Sequence, residues 1–236
     1  MNAYYRGSLK KSSACLKVFI IDAVPMMRQG LVHLINDETD LSVCGEADNA
    51  SVALRSIGEH QPDIIITGLS CGNGNGLSFI EDMAIRFAGI PILVFSRHDE
   101  TIFAERCLIA GAKGYVMKIE SPEMIMLAMR KILKGGIFVS AQAENKLLSK
   151  FYGNKHKDMT SPIESLSNRE LEVFQFIGQG LRSKQIAVHL NISPKTIGTH
   201  IDRIKKKMAL GSTREVFMNA FQWITDTNTE QVQVSK

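Results

Sequence analysis

Five short apolar segments alternate with five segments of helical periodicity in the first 138 residues, and this alternation restricts the fold more than any other feature. The apolar segments are LKVFII before Asp22, LSVCGEA, DIIIT, PILVFS and GYVMK. The segments that begin near residues 25, 50, 77, 99 and 121 have apolar residues at helical spacing. Such alternation predicts β/α units and a parallel sheet with helices on both faces. The almost wholly apolar strands fit burial on both faces.

The sequence changes character after about residue 140. A polar, Lys-rich stretch predicts a fraying helix followed by a linker. Cap signals then predict four helices, which start at Ser167 with Glu170, at Ser183, at Ser193 with Pro194, and at Ser212 with Glu215. We expect the second helix to end near Asn191 and the third near Ala209. The second half is therefore predicted to be all helical.

Composition excludes several classes of protein. The chain of 236 residues is 44% hydrophobic and 22% charged, which is an ordinary globular balance, and its length suits two domains. No apolar run approaches the roughly 20 residues of a membrane span, and no secretory signal is evident, so a cytoplasmic location without membrane contact is expected. The four cysteines form no CxxC pair, which argues against a zinc site or a disulfide scaffold.

Charge is distributed unevenly between the two halves. Residues 1–140 hold 14 basic and 15 acidic residues, whereas residues 141–236 hold 14 and 9. The first half has a net charge of −1 and the second of +5. A basic module attached to a neutral one is common in nucleic-acid-binding proteins.

The second and third predicted helices, joined by a turn of three or four residues, form a helix-turn-helix arrangement. One narrow stripe of the third helix is apolar: Ile197, Ile201, Ile204 and Met208. The opposite face and its flanks carry polar and basic residues: Lys195, Thr196, Thr199, His200, Asp202, Arg203, Lys205, Lys206 and Lys207. Such a face can enter a major groove, where cations neutralise phosphates and short polar groups reach base edges. A solvated basic helix is the alternative interpretation.

Residues 166–208, from LSNRELEVF through IAVHLNISPKTIGTHIDRIKKKM, resemble the LuxR-type DNA-binding domain. The resemblance covers about 60 residues and implies four helices, with the third in the major groove of DNA and the fourth supporting a dimer on a two-fold symmetric site. The family's base-facing positions correspond here to Gly198, Thr199 and Asp202. Its contacts to the DNA backbone correspond to Lys195, Thr196, His200, Arg203 and Lys206.

Gly198 and Asp202 depart from the family's pattern, because basic residues often occupy these two positions. Asp202 could accept a hydrogen bond from the N4 amino group of cytosine. Alternatively, it pairs with Lys206 four residues later as a surface ion pair. The preferred DNA sequence stays open.

Residues 17–138 resemble the receiver domain of two-component response regulators in the NarL/FixJ group, through IIDAVPMMRQGL, QPDIIITGL, ILVFSRHDE and AGAKGYVMK. The resemblance implies an α/β, flavodoxin-like sheet in the order 2-1-3-4-5, with the site at the carboxyl ends of the strands. We expect a flexible tail at 1–15, a pseudo-receiver domain at 16–139, a linker with a helical start at 140–162, the LuxR-type domain at 163–228 and a flexible tail at 229–236.

The receiver-like half lacks groups that phosphorylation needs. An ordinary receiver has two adjacent carboxylates after the first strand and an acceptor Asp after the third, but here Ala23 follows Asp22, and Gly68 occupies the acceptor position. Ser96 and Lys118 stand where the family engages the phosphoryl group. With one carboxylate left, no phosphoacceptor, no resident metal and no cofactor are expected. Lys118 should either turn to solvent or pair with Asp22.

The segment SCGNGNG after Leu69 allows further interpretations. Its backbone N–H groups could cradle an anion, or the glycines could mark only a turn. Cys71 could be a redox handle or an inert thiol. Ser96, His98 and Asp99 suggest a catalytic triad, but residues so close on one strand end point apart and no nucleophile elbow surrounds Ser96, so no enzyme is predicted.

The leading hypothesis is an orphan response regulator that binds double-stranded DNA as a homodimer and regulates transcription without phosphorylation. Two other functions stay open. The first is a protein-interaction module that sequesters another regulator. The second is a regulator that senses a small ligand in the degenerate receiver pocket.

Overall fold

The computed structural model describes residues 15–69, 76–151 and 161–233. Within these ranges, five strands form one sheet in the order β2-β1-β3-β4-β5, and all four pairings are parallel. The strands are β1 (Leu16–Ile21), β2 (Leu41–Ala47), β3 (Ile64–Thr67), β4 (Ile92–Ser96) and β5 (Gly114–Met117). The predicted parallel sheet and its strand order are confirmed.

Five helices cover the two faces of this sheet. They are α1 (Pro25–Asn36), α2 (Ala50–His60), α3 (Gly76–Arg86), α4 (Glu100–Ile109) and α5 (Pro122–Leu133). On one face, Leu31 of α1 and Met129 of α5 pack with Ile20 of β1. On the other face, α2, α3 and α4 contribute to the cluster that contains Phe19 and Ile65. The central strands are apolar along their length because both of their faces are buried.

The remaining helices follow α5 along the chain. They are α6 (Ala141–Phe151), a short 3-10 helix (Pro162–Ser165), α7 (Asn168–Gly178), α8 (Ser183–His189), α9 (Pro194–Lys207) and α10 (Thr213–Gln233). Helix α6 begins within the segment for which a linker with a helical start was predicted. As expected, the described residues of this part of the chain form helices and no strand, and α8 and α9 form the helix-turn-helix pair.

Local capping confirms most of the predicted helix starts. The Ser167 hydroxyl accepts from the Glu170 N–H while the Glu170 carboxylate accepts from the Ser167 N–H at 2.7 Å, so the capping box of α7 is present. Ser193 caps α9 through the Thr196 N–H at 3.1 Å, with Pro194 as the first helical residue. The Ser212 hydroxyl accepts from the Glu215 N–H at 3.2 Å.

One predicted helix start is wrong, and one predicted helix end lies slightly beyond the observed one. Ser183 does not cap α8, because Arg182 occupies the N-cap position and its N–H donates to the Gln185 side chain at 2.9 Å. Helix α9 ends at Lys207, two residues before the expected end near Ala209, and Ala209 has the left-handed φ of 53° that stops a helix. Asn191 is the residue predicted to end α8. The helix ends at His189, and Asn191, two residues later, has the left-handed φ of 50° that stops a helix.

One arginine of α4 joins the sheet-containing part of the chain to the helices that follow. The Arg106 guanidinium donates to the carbonyl oxygen of Leu166 and to Asn168 Oδ1, both at 2.8 Å, and to the Glu164 carbonyl oxygen at 3.2 Å. Lys146 of α6 adds a second link, since its ammonium group lies 2.7 Å from both the Thr101 carbonyl oxygen and a Glu164 carboxylate oxygen. These contacts hold α7 against α4.

The capping box predicts a specific pair of stability effects. Ser167→Ala removes the hydroxyl that accepts at the start of α7, and we expect the free energy of unfolding to fall by about 1 kcal/mol. Ser183→Ala is the matched control, because Ser183 is the first residue of α8 and does not cap it; its effect should stay within about 0.5 kcal/mol. Urea-induced unfolding of the two variants measures both effects. Equal losses would contradict the assignment of the caps.

Candidate nucleic-acid interface and edge pocket

Helix α9 has one buried side and one exposed side. Ile197, Ile201 and Ile204 are buried against the other helices, and Met208 just beyond the helix is partly buried on the same cluster. This confirms the predicted apolar stripe. Because α9 is held by that stripe, the opposite side of the helix faces away from the protein.

The exposed side of α9 contains most of the residues predicted to meet DNA. The six that are exposed are Lys195, Thr196, Thr199, Asp202, Arg203 and Lys206. Four of them recur at helical spacing directly opposite the buried isoleucines, and we call these four the outer ridge: Lys195, Thr199, Asp202 and Lys206. Gly198 lies beside the ridge, where an added Cβ would meet no atom within 4 Å. The structure thus leaves space around the ridge.

His200 is placed differently from the other predicted contacts. It is half-buried, and its Nδ1 atom is buried with no hydrogen-bond partner among the described residues. Burial lowers the pKa of His200, and the nearby charges of Arg169 and Arg203 act in the same direction. The lowered pKa favours the neutral form of the imidazole.

Asp202 does not make the predicted ion pair with Lys206. Its Oδ1 atom lies 3.4 Å from the ammonium group of Lys205, three residues later, while Lys206 is exposed on the outer ridge. The prediction of an i,i+4 pair is therefore wrong, because Lys205 approaches from the flank of the helix. Lys206 remains available at the surface.

A second ion pair near α9 was not predicted. The Lys207 ammonium group lies 2.7 Å from Glu170 Oε2, the same carboxylate that completes the capping box of α7. One of the consecutive cations of α9 thus fastens the helix to α7. The two residues are 37 positions apart, so no local spacing indicated the contact.

A pocket lies at the carboxyl edge of the sheet, where β1, β3, β4 and β5 end; we call it the edge pocket. Its cavity of about 270 Å³ is lined by all five residues predicted there: Asp22, Ala23, Gly68, Ser96 and Lys118. The remaining lining is largely apolar and consists of Val24, Met27, Leu69, Phe95, Arg97 and Ile119. Parallel strands end at one edge of the sheet, which explains why residues so far apart in sequence meet.

An ion pair crosses the edge pocket. The Lys118 ammonium group contacts Asp22 Oδ2, and Asp22 Oδ1 accepts from the Val24 N–H at 2.9 Å. Asp22 and Ser96 are each only 3% exposed. Of the two alternatives for Lys118, the structure shows pairing with Asp22 rather than a side chain turned to solvent.

Two segments of the chain match known protein families. Residues 18–130 match the response regulator receiver domain, and residues 164–220 match the luxR family of bacterial regulatory proteins. The oxygen regulatory protein NreC of Staphylococcus haemolyticus is 32% identical over 205 residues, which cover 85% of this chain and 94% of that protein. The protein of the same name from Staphylococcus aureus strain JH9 is 31% identical with the same coverage. This chain belongs to the response regulators that join a receiver domain to a LuxR-type domain.

Solved response regulator structures share the fold of this chain. RcsB of Salmonella typhimurium aligns with a TM-score of 0.71 at 21% identity, covering 89% of this chain and 98% of that one. RcsB of Salmonella enterica serovar Typhimurium, bound to the promoter rprA in the presence of the phosphomimetic BeF3−, aligns with a TM-score of 0.67 at 22% identity over 87% of this chain and 97% of that one. At these identities the likeness concerns the fold.

The suspected triad of this response regulator has other roles in the structure. Asp99 caps α4 by accepting from the Thr101 N–H at 2.8 Å, and the Ser96 hydroxyl accepts from the His98 N–H at 3.2 Å. Burial lowers the pKa of His98 to about 4, with help from the charges of Arg97 and Lys118. The three side chains therefore serve packing and local hydrogen bonding. Receiver and LuxR-type families are generally not enzymes, which agrees with the prediction.

Some predictions fall outside the residues that can be described. The anion-cradling interpretation of SCGNGNG and the redox interpretation of Cys71 concern residues 70–75, which lie outside the described ranges. Elsewhere, in the residues that are described, no three His, Cys, Asp or Glu side chains come together as metal ligands. Among the described helices, none combines the length and apolar character that a bilayer crossing requires.

The buried ion pair leads to a prediction about stability. Lys118→Met leaves the Asp22 carboxylate buried without its cation, and we expect the free energy of unfolding to fall by about 3 kcal/mol. Lys113→Met, a change at an exposed residue just before β5, should cost less than about 0.5 kcal/mol. Adding Asp22→Asn to Lys118→Met should restore part of the loss. Urea-induced unfolding at pH 7 tests this, and equal stability of the two single variants would contradict it.

Proposed function

We propose that this response regulator binds two-fold symmetric promoter DNA as a dimer and regulates transcription without aspartyl phosphorylation. The observation that carries the DNA-binding part is the outer ridge of α9 with its cationic flank. The helix is fixed by three buried isoleucines, and its exposed side presents Lys195, Arg203 and Lys206. A rigid helix with an uncovered polar and basic side fits the major groove.

A related solved structure supports this interpretation. RcsB, which shares the fold, was solved on promoter DNA. In this chain the six exposed residues of α9 stay uncovered while α4 and α7 are joined through Arg106. Access of α9 to DNA therefore does not require the two parts of the chain to separate.

The composition of the edge pocket supports the phosphorylation-free part of the proposal. Gly68 follows β3 at the position of the acceptor and has no side chain that could carry an acyl phosphate. The nearest acid on that strand, Asp63, lies before β3 and accepts from the Lys17 N–H at 2.7 Å. Five residues of strand place it roughly 16 Å away, at the opposite edge of the sheet.

The charge within the pocket points the same way. Asp22 is the one carboxylate among its described lining residues, and that carboxylate is already paired with Lys118. Mg²⁺ prefers several oxygen ligands in an octahedral arrangement. A single carboxylate that must first give up a buried ammonium partner is a poor site for this ion. The Asp22–Lys118 ion pair occupies the place where an ordinary receiver binds Mg²⁺ and the phosphoryl group.

The exposed surface of α10 supports the proposal of a dimer. Among those of its side chains that the structure describes, three large apolar ones remain exposed: Phe217 at 37%, Met218 at 62% and Phe221 at 60%. The buried side of the same helix packs on α7 through Val216 and Ala220. An exposed apolar strip beside the DNA-facing helix suits a symmetric contact between two copies, and a two-fold symmetric dimer matches a two-fold symmetric site.

Salt dependence tests the DNA-binding part. Replacing Arg203 and Lys206 together with Ala removes two expected phosphate contacts from each protomer and hence four from the dimer. Affinity for duplex DNA should fall at least about tenfold, and the slope of log affinity against log salt should lose about 4 units. The control replaces Arg55 of α2 and Lys134 after α5 with Ala, which removes the same charge from the receiver. Fluorescence anisotropy over a salt series measures both. Equal losses in the two pairs would contradict a DNA-facing α9.

Phosphodonor treatment tests the receiver part. Incubation with acetyl phosphate and Mg²⁺ should leave the protein without a phosphoryl adduct, because Gly68 offers no carboxylate for attack. DNA affinity should be unchanged by the treatment. Intact-mass spectrometry detects the adduct, and a response regulator with an acceptor Asp serves as the positive control. Labelling on an Asp together with tighter DNA binding would overturn this part of the proposal.

A further inference from the structure

An acidic residue stands on the outer ridge of α9, between residues that suit DNA. Lys195, Thr199, Asp202 and Lys206 recur at intervals of four, three and four residues, opposite the buried isoleucines. In a helix that lies in a major groove, the middle of the side farthest from the protein core faces the base edges, whereas the ends of that side and the flanks face the phosphates. The ridge therefore places Asp202 over bases.

The ion pair with Lys205 is too weak to explain why an acidic residue stands on the outer ridge. The contact involves one carboxylate oxygen at 3.4 Å, and the Asp202 side chain remains 65% exposed. Exposed pairs of this kind contribute little to stability. An acid also weakens the attraction of a basic helix to phosphates. A carboxylate on the ridge therefore favours DNA binding only if it makes a direct contact with a base.

The chemistry of the major groove limits what Asp202 can contact. An ionised carboxylate only accepts hydrogen bonds. The groove edges offer two donors, the N4 amino group of cytosine and the N6 amino group of adenine, whereas guanine and thymine present acceptors at the matching places. Adenine also presents N7, an acceptor that repels the second carboxylate oxygen. Cytosine is therefore the base that best suits an acid at this position.

We propose that Asp202 is a specificity-determining residue that accepts a hydrogen bond from the N4 amino group of a cytosine in each half-site. The inference rests on the proposed function, because it requires α9 to enter the major groove. It adds the identity of one base to that function. A guanine in place of this cytosine would present only acceptor atoms, N7 and O6, to the carboxylate and is therefore disfavoured.

Selection from a pool of randomised DNA duplexes tests the inference with the full-length protein. Sites enriched by the wild type should contain a cytosine at one fixed position of each half-site. Asp202→Ala should lose the preference at that position and keep it at the others. Asp202→Asn should shift it towards adenine, since Asn pairs with N6 and N7 of adenine. On a single enriched duplex, changing the cytosine to guanine should weaken wild-type binding about tenfold and leave Asp202→Ala nearly unaffected.

Lys205→Ala is the matched control for the surface ion pair. It breaks the contact with Asp202 and should retain the cytosine preference. If Asp202→Ala selects the same bases as the wild type at every position, or if Lys205→Ala loses the preference equally, the inference is wrong. A pool from which the wild type enriches no sequence contradicts the proposed function itself. The two failures are therefore distinguishable.

Discussion

Burial of the central strands on both faces is the constraint on which the rest of the structure depends. Because Ile20 and Ile65 lie on opposite faces of the sheet and both need cover, the chain returns through a helix after each strand and the sheet becomes parallel. Parallel strands end at a common edge. That edge gathers Asp22, Gly68 and Lys118 into one pocket, although 96 positions separate Asp22 from Lys118.

Burial also fixes the orientation of α9, which has one buried and one exposed side. Three isoleucines fix one side of the helix to the domain core, so the remaining side is displayed in a defined orientation. The pocket and the helix then differ in one respect. In the pocket, Asp22 and Lys118 neutralise each other, whereas α9 leaves Lys195, Arg203 and Lys206 exposed at the surface for a polyanion. A receiver fixed by an internal ion pair and an uncovered DNA-facing helix are mutually consistent.

Most of the fold follows from local patterns, and most of the unpredicted features involve distant residues. Apolar runs and cap signals located the strands and the starts of α7 and α9 because these depend on neighbours in sequence. The contacts of Arg106 with Asn168 and of Lys207 with Glu170 join residues 62 and 37 positions apart, and no spacing encodes them. At the site, the residue types predicted the basic face of α9, but the half-buried state of His200 depends on packing against the rest of the domain.

Capture of genomic DNA fragments with untreated protein tests the central claim most directly. The full-length chain is mixed with fragmented genomic DNA in the absence of Mg²⁺ and of any phosphodonor, and the retained fragments are sequenced. The account predicts that the fragments share a two-fold symmetric site, because α9 is uncovered and the edge pocket needs no phosphoryl group. Retention without any common sequence, converted to a common site only after treatment with a phosphodonor, would contradict it.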